Sequence, residues 1–574
     1  MRLSELRARV RIRTRAREFA AAMRDNRTAA RYAGWRKDPI VPGTVLYESY
    51  FGNGVLDNPE AIFRYLLDQP DQQHLRHIWV LDDVEAHPQV TAEFAGDARV
   101  GFVGIATPEY LHAMATSQYL VNNATFPQEF AKRPGQTYVN TWHGVPLKRM
   151  GYDMPGGGLL ARNVSRNFLQ ADYLVSANPF MTETMYRRGY RLQGIFRGCV
   201  VEEGQPRLDR QVQAMRDPAA VVAQVEARGV AVGGRKIVLF APTWRGDSFG
   251  DPHVNAAELV RTVQQLQKQV GSEYVVLLKT HQAVHNAVRN RLGETTFLVP
   301  NDIPTNLLLG VADLLVTDYS SIFFDYLVTG RPIVHYVPDL DDYEVTRGLY
   351  LDQDELFGPF AKSIPELAEQ VLEALAGDGT SALSVKGAKQ LSAKDDGSAT
   401  ARLVDLVFRG ADESGFTVHR DFGTEKETVL IYLGSMMSNG IMTSALNLLH
   451  NLDYDTYDVT AFWAFSRGRD RARNAGFVDP RVRVVPRATV MLGTPRQVRR
   501  LESQMLNKGL PETLSSSHLA YWREEWQRLF GHAEFDHLID FSGYGCYSPF
   551  LFSAAPGNPR KSIWLHNDMV ADQQ

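Results

Sequence analysis

The sequence predicts an α/β protein whose sheets are mostly parallel. Three observations point to this class: short β-branched or aromatic runs recur along the chain, helix-like segments lie between many of them, and polar clusters follow several of the runs. With 574 residues, the chain is long enough to form several hydrophobic cores. Its 44% hydrophobic and 22% charged residues are ordinary globular values, which exclude a mostly disordered chain.

Two α/β blocks are predicted first, at residues 38–203 and 204–391. Their predicted strands lie at 45–50, 77–81, 119–122, 137–142, 173–176, 237–240, 274–278, 313–317 and 332–336. Their predicted helices include 58–68, 179–188, 256–269 and 320–329. Because strand and helix alternate, we expect parallel sheets covered by helices in both blocks.

The polar stretch 392–427 is predicted to be a linker, helical in part. A third α/β block, 428–574, follows it. This block begins with a predicted strand at 428–433, a small polar loop and a helix at 441–451, and its further predicted strands lie at 459–463, 482–485, 538–541 and 562–565. The sequence stops directly after the last of these strands and its loop, so we expect the block to be half of a two-domain unit.

Residues 1–37 form a strongly basic segment. They carry a formal net charge of +9, against −13 for the rest of the chain. Such a segment is typical of contact with an anionic lipid surface or with nucleic acid. Between residues 7 and 17 the arginines fall on every second position, which spreads charge around a helix and favours a polybasic patch over a membrane-inserting helix. A solvated helix without a partner is the alternative interpretation.

Features of secretion, membrane insertion and disulfide cross-linking are absent from the sequence. No run approaches 18 uncharged apolar residues, the N-terminus lacks an apolar h-region, and only Cys199 and Cys546 are present. We therefore expect a cytoplasmic protein that lies peripherally at the inner face of the cell membrane through its basic segment, with no nucleic-acid partner.

Four polar clusters directly follow four predicted strands. They are TWHG at 141–144, PTWR at 242–245, KTH at 279–281 and TDYSS at 317–321. Open α/β sheets bind ligands outside the carboxyl ends of their strands, so clusters at four such ends predict one shared crevice.

Ser320 and Ser321 precede a predicted helix, where free N–H groups and two hydroxyls suit a phosphate or pyrophosphate. Plain N-capping of that helix is the alternative. Asp325 lies one turn further on the same helix face, and it is predicted to reach a sugar or polyol hydroxyl.

Lys279 and His281 lie two residues apart at a strand end, so both side chains can point to the same side. A cation and an imidazole there would neutralise charge on a departing phosphate, with a structural strand-end histidine as the alternative. His143 is the better catalytic candidate. The adjacent Gly144 lets a ligand approach the backbone closely, and an imidazole transfers protons near neutral pH.

Several common cofactor motifs do not occur in the sequence. It contains no G-x-x-x-x-G-K-[ST] loop, no H-E-x-x-H, no Cys-x-x-Cys and no G-x-G-x-x-G that opens a helix after a strand. Hydride transfer, P-loop hydrolysis and zinc chemistry lose support. The sequence identifies no metal ligands and no certain cofactor, and it leaves metal dependence open.

In order and spacing, the clusters resemble those of the CDP-glycerol glycerophosphotransferase family, the polymerases and primases of teichoic acid and of related capsules. The matching motifs are TWHGVPLK at 141–148, GQPRLD at 204–209, PTWR at 242–245, KTH at 279–281 and TDYSS at 317–321, with FD at 324–325. Val145, Leu208 and Gln282 depart from the usual Thr, Asn, and Pro or Tyr. These departures leave the donor polyol, glycerol or ribitol, open.

The resemblance, which covers about residues 40–390, implies a GT-B fold with a cleft between an acceptor-side Rossmann-like domain (38–203) and a CDP-polyol-binding one (204–391). It implies transfer of glycerol phosphate, or a related polyol phosphate, from the donor substrate CDP-glycerol to a hydroxyl of a growing teichoic acid-like or capsular polymer. The acceptor is polymeric or lipid-linked, and CMP is released.

The resemblance also implies roles for individual residues. His143 is the implied general base, and His281, with Lys279, steadies the pyrophosphate. The other residues implied to bind the CDP-polyol are Gly144, Val145, Pro146, Leu147, Arg207, Pro242, Thr243, Thr280, Ser320, Ser321 and Asp325. Among them, Arg207, Pro242 and Thr243 are expected on the nucleotide side.

Residues 428–574 more weakly resemble the N-terminal half of a second GT-B glycosyltransferase module, of the retaining, nucleotide-sugar type. We expect this part to be catalytically silent. A nucleotide-sugar glycosyltransferase that uses the same crevice is the alternative function, and a lipid- or nucleic-acid-binding protein led by the basic segment is a third. The sequence leaves the oligomeric state open, a homo-oligomer included.

Overall fold

A computed structural model of the protein describes residues 27–243, 246–248, 251–252, 256–280, 285, 288–289, 296–340, 348–352, 355–464, 469–487, 491–506 and 515–566. These residues form three α/β units, each built on a largely parallel sheet, so the predicted class is confirmed. Residues 1–26 of the basic segment, the 244–245 pair of one polar cluster and His281 lie outside the described residues.

The first unit is built on an eight-stranded sheet. Seven of its strands are β1 (Val41–Glu48), β2 (Arg76–Leu81), β3 (Val100–Gly104), β4 (Ser117–Asn122), β5 (Thr137–Asn140), β6 (Tyr173–Ser176) and β7 (Cys199–Glu202). They are parallel and lie in the order β3-β2-β1-β4-β5-β6-β7. The winding of the chain therefore reverses between β1 and β4, and open α/β sheets bind ligands at such a reversal.

Helices cover this sheet. They are α1 (Asp57–Asp68), α2 (Pro88–Glu93), α3 (Pro108–Thr116), α4 (Gly157–Leu160), α5 (Arg162–Gln170) and α6 (Pro179–Met181), with a π-helical turn at Thr182–Gly189 and 3-10 turns at Tyr50–Gly52, Pro70–Gln72, Val84–Ala86 and Gly151–Asp153. Residues 27–35 are also helical, with Tyr32 fully buried, and Arg36 donates to the carbonyl oxygen of Ala131. The end of the predicted basic segment is thus packed into the first unit.

The second unit contains a five-stranded parallel sheet and a separate two-stranded ribbon. Its strands are β8 (Lys236–Phe240), β9 (Gly246–Ser248), β10 (Asp251–Pro252), β11 (Tyr274–Leu278), β12 (Leu314–Thr317), β13 (Ile333–Tyr336) and β14 (Phe360–Ala361). The sheet order is β11-β8-β12-β13-β14, so the winding reverses between β8 and β12. Its helices are α7 (Pro206–Arg216), α8 (Pro218–Glu226), α9 (Ala256–Val270), α10 (Thr305–Val311), α11 (Ile322–Leu327), α12 (Ile364–Leu375) and α13 (Ala382–Leu391).

The stretch predicted as a linker returns to the first unit. It forms α14 (Ala399–Val407), a 3-10 turn at Glu413–Gly415 and β15 (Val418–His419), which pairs antiparallel with β7 as the eighth strand of the first sheet. The carboxylate of Asp209, on α7, accepts the backbone N–H groups of Ala399 and Thr400 at 3.0 and 2.7 Å. This segment therefore ties α7 to the first unit as well as leading to the third.

The third unit is a five-stranded parallel sheet in the order β18-β17-β16-β19-β20. Its strands are β16 (Glu427–Tyr432), β17 (Tyr457–Phe462), β18 (Arg483–Val484), β19 (His537–Asp540) and β20 (Arg560–Ile563). Its helices are α15 (Gly440–Asn451), α16 (Arg469–Ala475), α17 (Pro495–Leu506), α18 (Ser516–Phe530) and α19 (Tyr547–Ser553). The predicted opening of strand, loop and helix is observed.

Apolar residues of the three units form shared core. One cluster contains Leu46 of β1, Leu239 of β8 and Leu430 of β16, all fully buried, and it continues through the packed helices. Strands of parallel sheets are covered on both faces, which explains why these strands read as continuous apolar runs. Over the same described residues, no helix has both the length and the apolar character needed to cross a membrane.

Candidate active site

The first and second units face each other across a cleft with two adjoining cavities, of about 230 and 480 Å³. Polar residues shared by both cavities are Tyr50, His143, Lys279, Thr280, Thr305, Ser320 and Ser321. The smaller cavity adds Asn53, Asp57, Arg207, Asn301, Asn306 and Asp325, and the larger adds Trp142, Gly144, Val145, Pro146, Leu147, Pro242 and Thr243. These residues follow the carboxyl ends of strands, including β1, β5, β8, β11 and β12, where α/β sheets bind ligands.

The backbone before His143 is held in an unusual conformation. Trp142 has φ +48°, in the left-handed region that a bulky residue rarely adopts. Its N–H donates to Asn140 Oδ1 at 3.0 Å, and its carbonyl oxygen accepts from Asn58 Nδ2 at 3.2 Å. Such strain persists only where the surroundings fix it, and here it turns His143 into the cleft.

The His143 ring is oriented by one hydrogen bond and two aromatic neighbours. Its Nδ1 lies 2.7 Å from the carbonyl oxygen of Asn123, which can only accept, so Nδ1 carries the proton. Within the described residues Nε2 has no hydrogen-bond partner, and its lone pair is available to a ligand. The ring stacks on Trp142, with centroids 4.3 Å apart, and lies 5.5 Å from Tyr50. Burial lowers the pKa of His143, so the imidazole is neutral at pH 7 and suited to accept a proton.

Gly144 has φ +144°, and its lack of a side chain allows two groups to approach the backbone. A Cβ at this position would lie 3.2 Å from Arg207 Nη2 and 3.4 Å from Ser321 Oγ. Glycine is therefore required here both by the backbone angle and by the space.

Arg207 forms a buried ion cluster at the floor of the smaller cavity. Its Nη1 is 3.0 Å from Asp57 Oδ2, and its Nη2 is 2.8 Å from Asp325 Oδ1. Asp325 also accepts from Asn306 at 3.3 Å, and Asp57 from the hydroxyl of Tyr50. Burial raises the pKa of Asp325, and the positive charge of Arg207 opposes this effect. For Arg207, burial disfavours the charged form, but the two carboxylates outweigh it and raise the pKa of the guanidinium. With both carboxylates ionised the cluster is net negative, which suits hydroxyl groups better than phosphate.

Lys279 is buried and forms no ion pair within 4 Å among the described residues, although the charge of Asp302 favours its protonated form. Its Nζ donates to the carbonyl oxygens of Pro300 and Ile303, at 2.8 and 2.9 Å. Burial lowers the pKa of Lys279 to about 7, so the side chain is close to half protonated at neutral pH. Its third N–H position is not taken by these carbonyls, and the side chain lines both cavities. A ligand anion would stabilise the charged form.

Two further contacts fix the second unit's side of the cleft. The Asp318 carboxylate accepts the N–H of Thr243 on one oxygen and its hydroxyl on the other, each at 2.8 Å. Thr280 Oγ1 lies 3.2 Å from His285 Nδ1, and burial lowers the pKa of His285 to about 4, so this imidazole is neutral. The loop after β8 is therefore held by Asp318, which follows β12, and Thr280 by a residue five positions further along the chain.

Ser320 and Ser321 lie ahead of α11, which begins at Ile322 and is only six residues long. The N–H of Ile322 lies 3.4 Å from Ser320 Oγ. Both serines are half-buried, and both line the two cavities. The short helix limits its dipole, so the hydroxyls are the main donors that this end of the cleft can offer.

All predicted site residues except His281, which lies outside the described residues, line one or both cavities. Arg207 lines only the smaller cavity, whereas Pro242 and Thr243 line only the larger. Sequence reasoning missed Tyr50, Asp57, Asn123, Asn301 and Asn306. A signal existed for Asn123, because an Asn pair ends the predicted strand at 119–122.

The sequence profile of the CDP-glycerol:poly(glycerophosphate) glycerophosphotransferase family matches residues 31–409. The chain belongs to this family. The resemblance given above is therefore confirmed, and the chain is an enzyme of the glycerophosphotransferase type. The match includes both sides of the cleft and ends before β15 and the third unit.

Relatives and a solved structure agree with this assignment. A teichoic acid poly(glycerol phosphate) polymerase of Bacillus spizizenii is 32% identical over 343 residues, which are 58% of this chain and 82% of that protein. A teichoic acid glycerol-phosphate transferase of Staphylococcus aureus is 28% identical over 377 residues, which are 64% of this chain and 92% of that protein. The structure of the wall teichoic acid polymerase TagF matches with a TM-score of 0.58 at 26% identity, over 71% of this chain and 98% of that one.

Proposed function

We propose that this enzyme transfers glycerol phosphate, or a related polyol phosphate, from CDP-glycerol to a hydroxyl of a teichoic acid-like polymer. One observation carries the proposal: the same two cavities are lined by His143, which is neutral, and by Lys279, which a bound anion would keep protonated. One group can take a proton from the acceptor, and the other can receive the negative charge of the donor.

In the proposed reaction His143 Nε2 accepts the proton of the acceptor hydroxyl. The acceptor oxygen forms a bond to the β-phosphorus of the CDP-polyol. The bond from that phosphorus to the bridging oxygen breaks, and CMP leaves with the oxygen. Lys279 offsets the charge on the phosphates, and the hydroxyls of Ser320 and Ser321 donate to their oxygens.

The lining of the cavities supports an assignment of each substrate part. We assign the donor's polyol to the smaller cavity, where the carboxylates of Asp325 and Asp57 and the amide of Asn306 can form hydrogen bonds with its hydroxyl groups. The nucleotide is placed in the larger cavity against Pro242 and Thr243. The acceptor approaches on the opposite wall of that cavity, which the first unit supplies.

At the level of architecture, we propose that the first two units form a GT-B pair, with the acceptor domain at 38–203 and the donor domain at 204–391. The match to TagF over 98% of that chain supports this arrangement. Residues 428–574 are proposed as the N-terminal half of a second glycosyltransferase-like module. The parallel order of its five strands supports the module's Rossmann-like character.

We further propose that residues 1–26, which carry most of the basic charge, bring the enzyme to the anionic inner face of the membrane. Deletion of this segment is expected to reduce sedimentation with vesicles that contain anionic lipid, while CMP release with a soluble acceptor is retained. The deletion stops at residue 26 because the helix at 27–35 belongs to the core through Tyr32. Equal sedimentation of both proteins would argue against the membrane role.

The reaction is tested by CMP release from a donor panel of CDP-glycerol, CDP-ribitol and UDP-sugars. Replacement of the base, His143→Asn, is expected to lower turnover by about 10²- to 10⁴-fold without unfolding the protein. His450→Asn, at an exposed position on α15, is the matched control and is expected to keep full activity. Unchanged turnover in the His143 variant rejects the base, and consumption of UDP-sugars without CDP-polyol turnover favours the alternative glycosyltransferase.

A further inference from the structure

The third unit lies outside the region that the family profile matches, yet it contacts a wall of the catalytic cleft. That wall is the segment 147–154, which follows the His143 motif. Leu147, Met150 and Met154 line the larger cavity, on the side assigned to the acceptor. The regular structure of the segment is limited to a 3-10 turn at Gly151–Asp153 and one isolated antiparallel bridge between Lys148 and Leu349.

On one side, the segment is held by the second unit. The N–H of Tyr350 donates to the carbonyl oxygen of Leu147 at 2.9 Å, and the N–H of Arg149 donates to the carbonyl oxygen of Gly348 at 3.2 Å. The hydroxyl of Tyr350 accepts the N–H of Met150 at 3.0 Å and donates to Asp153 at 2.7 Å. These bonds join the two walls of the cleft.

On the other side, the segment is held by the third unit. The hydroxyl of Tyr152 donates to the carbonyl oxygen of Val484 and accepts its N–H, both at 3.0 Å, so both edge groups of β18 at that residue are satisfied by one side chain. The Tyr152 ring packs into the apolar core of the third unit together with Leu159. The guanidinium of Arg191 lies 4.4 Å from the centre of that ring and donates to the carbonyl oxygen of Pro480 at 2.7 Å.

More distant contacts keep the third unit fixed on the first. The carbonyl oxygens of Arg191 and Gln193 accept from the guanidinium of Arg483, at 2.7 and 2.8 Å. Gly531, after α18, lies so close to α5 that a Cβ there would be 1.7 Å from the carbonyl oxygen of Leu169. Because these contacts involve the backbone at several points, the third unit is firmly docked and can support segment 147–154.

We propose that the third unit positions the acceptor wall of the cleft, with Tyr152 as the positioning residue that transmits this support. The inference rests on the proposed transfer reaction, and it gives the third unit a role in that reaction without any chemistry of its own. Loss of the Tyr152 contacts leaves 147–154 tethered on one side only, so acceptor binding weakens. Lys279, Pro242 and Thr243, which belong to the second unit, keep their positions for the donor.

Two variants of the full-length chain test the proposal. Tyr152→Phe keeps the ring and removes both hydrogen bonds to Val484. Gly158→Ala places a Cβ 2.8 Å from the Tyr152 ring and 2.8 Å from a methyl group of Val484, so it separates the two. The matched control is Tyr454→Phe, which removes a hydroxyl that donates to Leu449 within the third unit and touches no part of the cleft.

In both test variants the KM for acceptor is expected to rise by about three- to tenfold, the equivalent of one or two net hydrogen bonds, with kcat and the KM for CDP-glycerol changed by less than about twofold. Hydrogen exchange of 147–154, measured without substrates, is expected to become faster in the variants and to stay unchanged in the control.

The proposal would be overturned if hydrogen exchange and the KM for acceptor were unchanged in both variants. It would also be overturned if all kinetic parameters worsened equally and the melting temperature fell, because that pattern marks a general structural role. A wild-type chain that releases no CMP from any CDP-polyol would instead reject the proposed function. In that case the exchange experiment alone decides whether the third unit supports the segment.

Discussion

Donor binding is expected to weaken as the pH rises above 7, because it requires a protonated Lys279. In the free enzyme, burial holds the pKa of this side chain at about 7, and its hydrogen bonds to Pro300 and Ile303 use only neutral carbonyl groups. A diphosphate bound beside the ammonium would raise this pKa toward the ordinary lysine value of 10.5. Binding of CDP-glycerol therefore takes up a proton.

The size of the effect follows from linkage. If the diphosphate restores the pKa of Lys279 fully to its ordinary value, the Kd for CDP-glycerol rises by about fiftyfold between pH 7 and pH 9. Binding then takes up about half a proton at pH 7 and about 0.9 of a proton at pH 8. The sign is fixed, because a group whose pKa is higher in the complex favours the complex below that pKa. Each phosphate of CDP-glycerol has a single, strongly acidic ionisable group, which is already deprotonated throughout this pH range. His143, whose pKa burial lowers, is already neutral.

Isothermal titration calorimetry without acceptor, in two buffers that differ in ionisation enthalpy, measures both the Kd and the number of protons taken up. Lys279→Met, which removes the charge while keeping most of the length, is expected to bind weakly and without pH dependence. A wild-type Kd that does not change between pH 7 and pH 9, with no proton uptake, would show that Lys279 does not meet the diphosphate.

Three other changes have outcomes that the contacts determine. Gly144→Ala is expected to lower stability by about 1–3 kcal/mol in urea unfolding and kcat/KM by at least about tenfold, because its backbone angle and Arg207 exclude a Cβ. Asp57→Asn leaves Arg207 with one carboxylate and is expected to lower the unfolding free energy by about 1–3 kcal/mol, whereas a change below about 0.5 kcal/mol would show that the pair is not coupled to folding. Asp318→Asn removes one of the two acceptors that hold Thr243 and is expected to raise the Kd for CMP by about tenfold with little change in acceptor KM.

The sequence located the cleft because of a rule that needs no tertiary information. Parallel strands end at the same edge of a sheet, so the polar residues after β8, β11 and β12 had to converge. His143 follows β5 of the other sheet, and the docking of the two units brings it to the cavities that Lys279 and Ser320 also line. The position of a helix start was less accurate, since α11 begins at Ile322, two residues later than predicted.

Residues that act through distant partners could not be found in this way. Asp57 sits at the start of a helix, where an acidic residue is an ordinary capping choice, and only the fold brings it to Arg207. The strand β15 is two residues long and pairs antiparallel with β7, so its local sequence carries no strand pattern. The ion pairs of Arg207 with Asp57 and Asp325 also join residues far apart in sequence, and they hold Arg207 at the smaller cavity.

His143 and Lys279 have opposite requirements, and burial satisfies both. A general base must be neutral before it acts, and desolvation keeps His143 neutral. An electrostatic catalyst must be charged, and the same desolvation makes the charge on Lys279 depend on a bound anion. At neutral pH Lys279 is therefore fully charged only in the donor complex. His143 is thus a competent base with or without a bound donor, whereas Lys279 gains its full charge only when the donor is present.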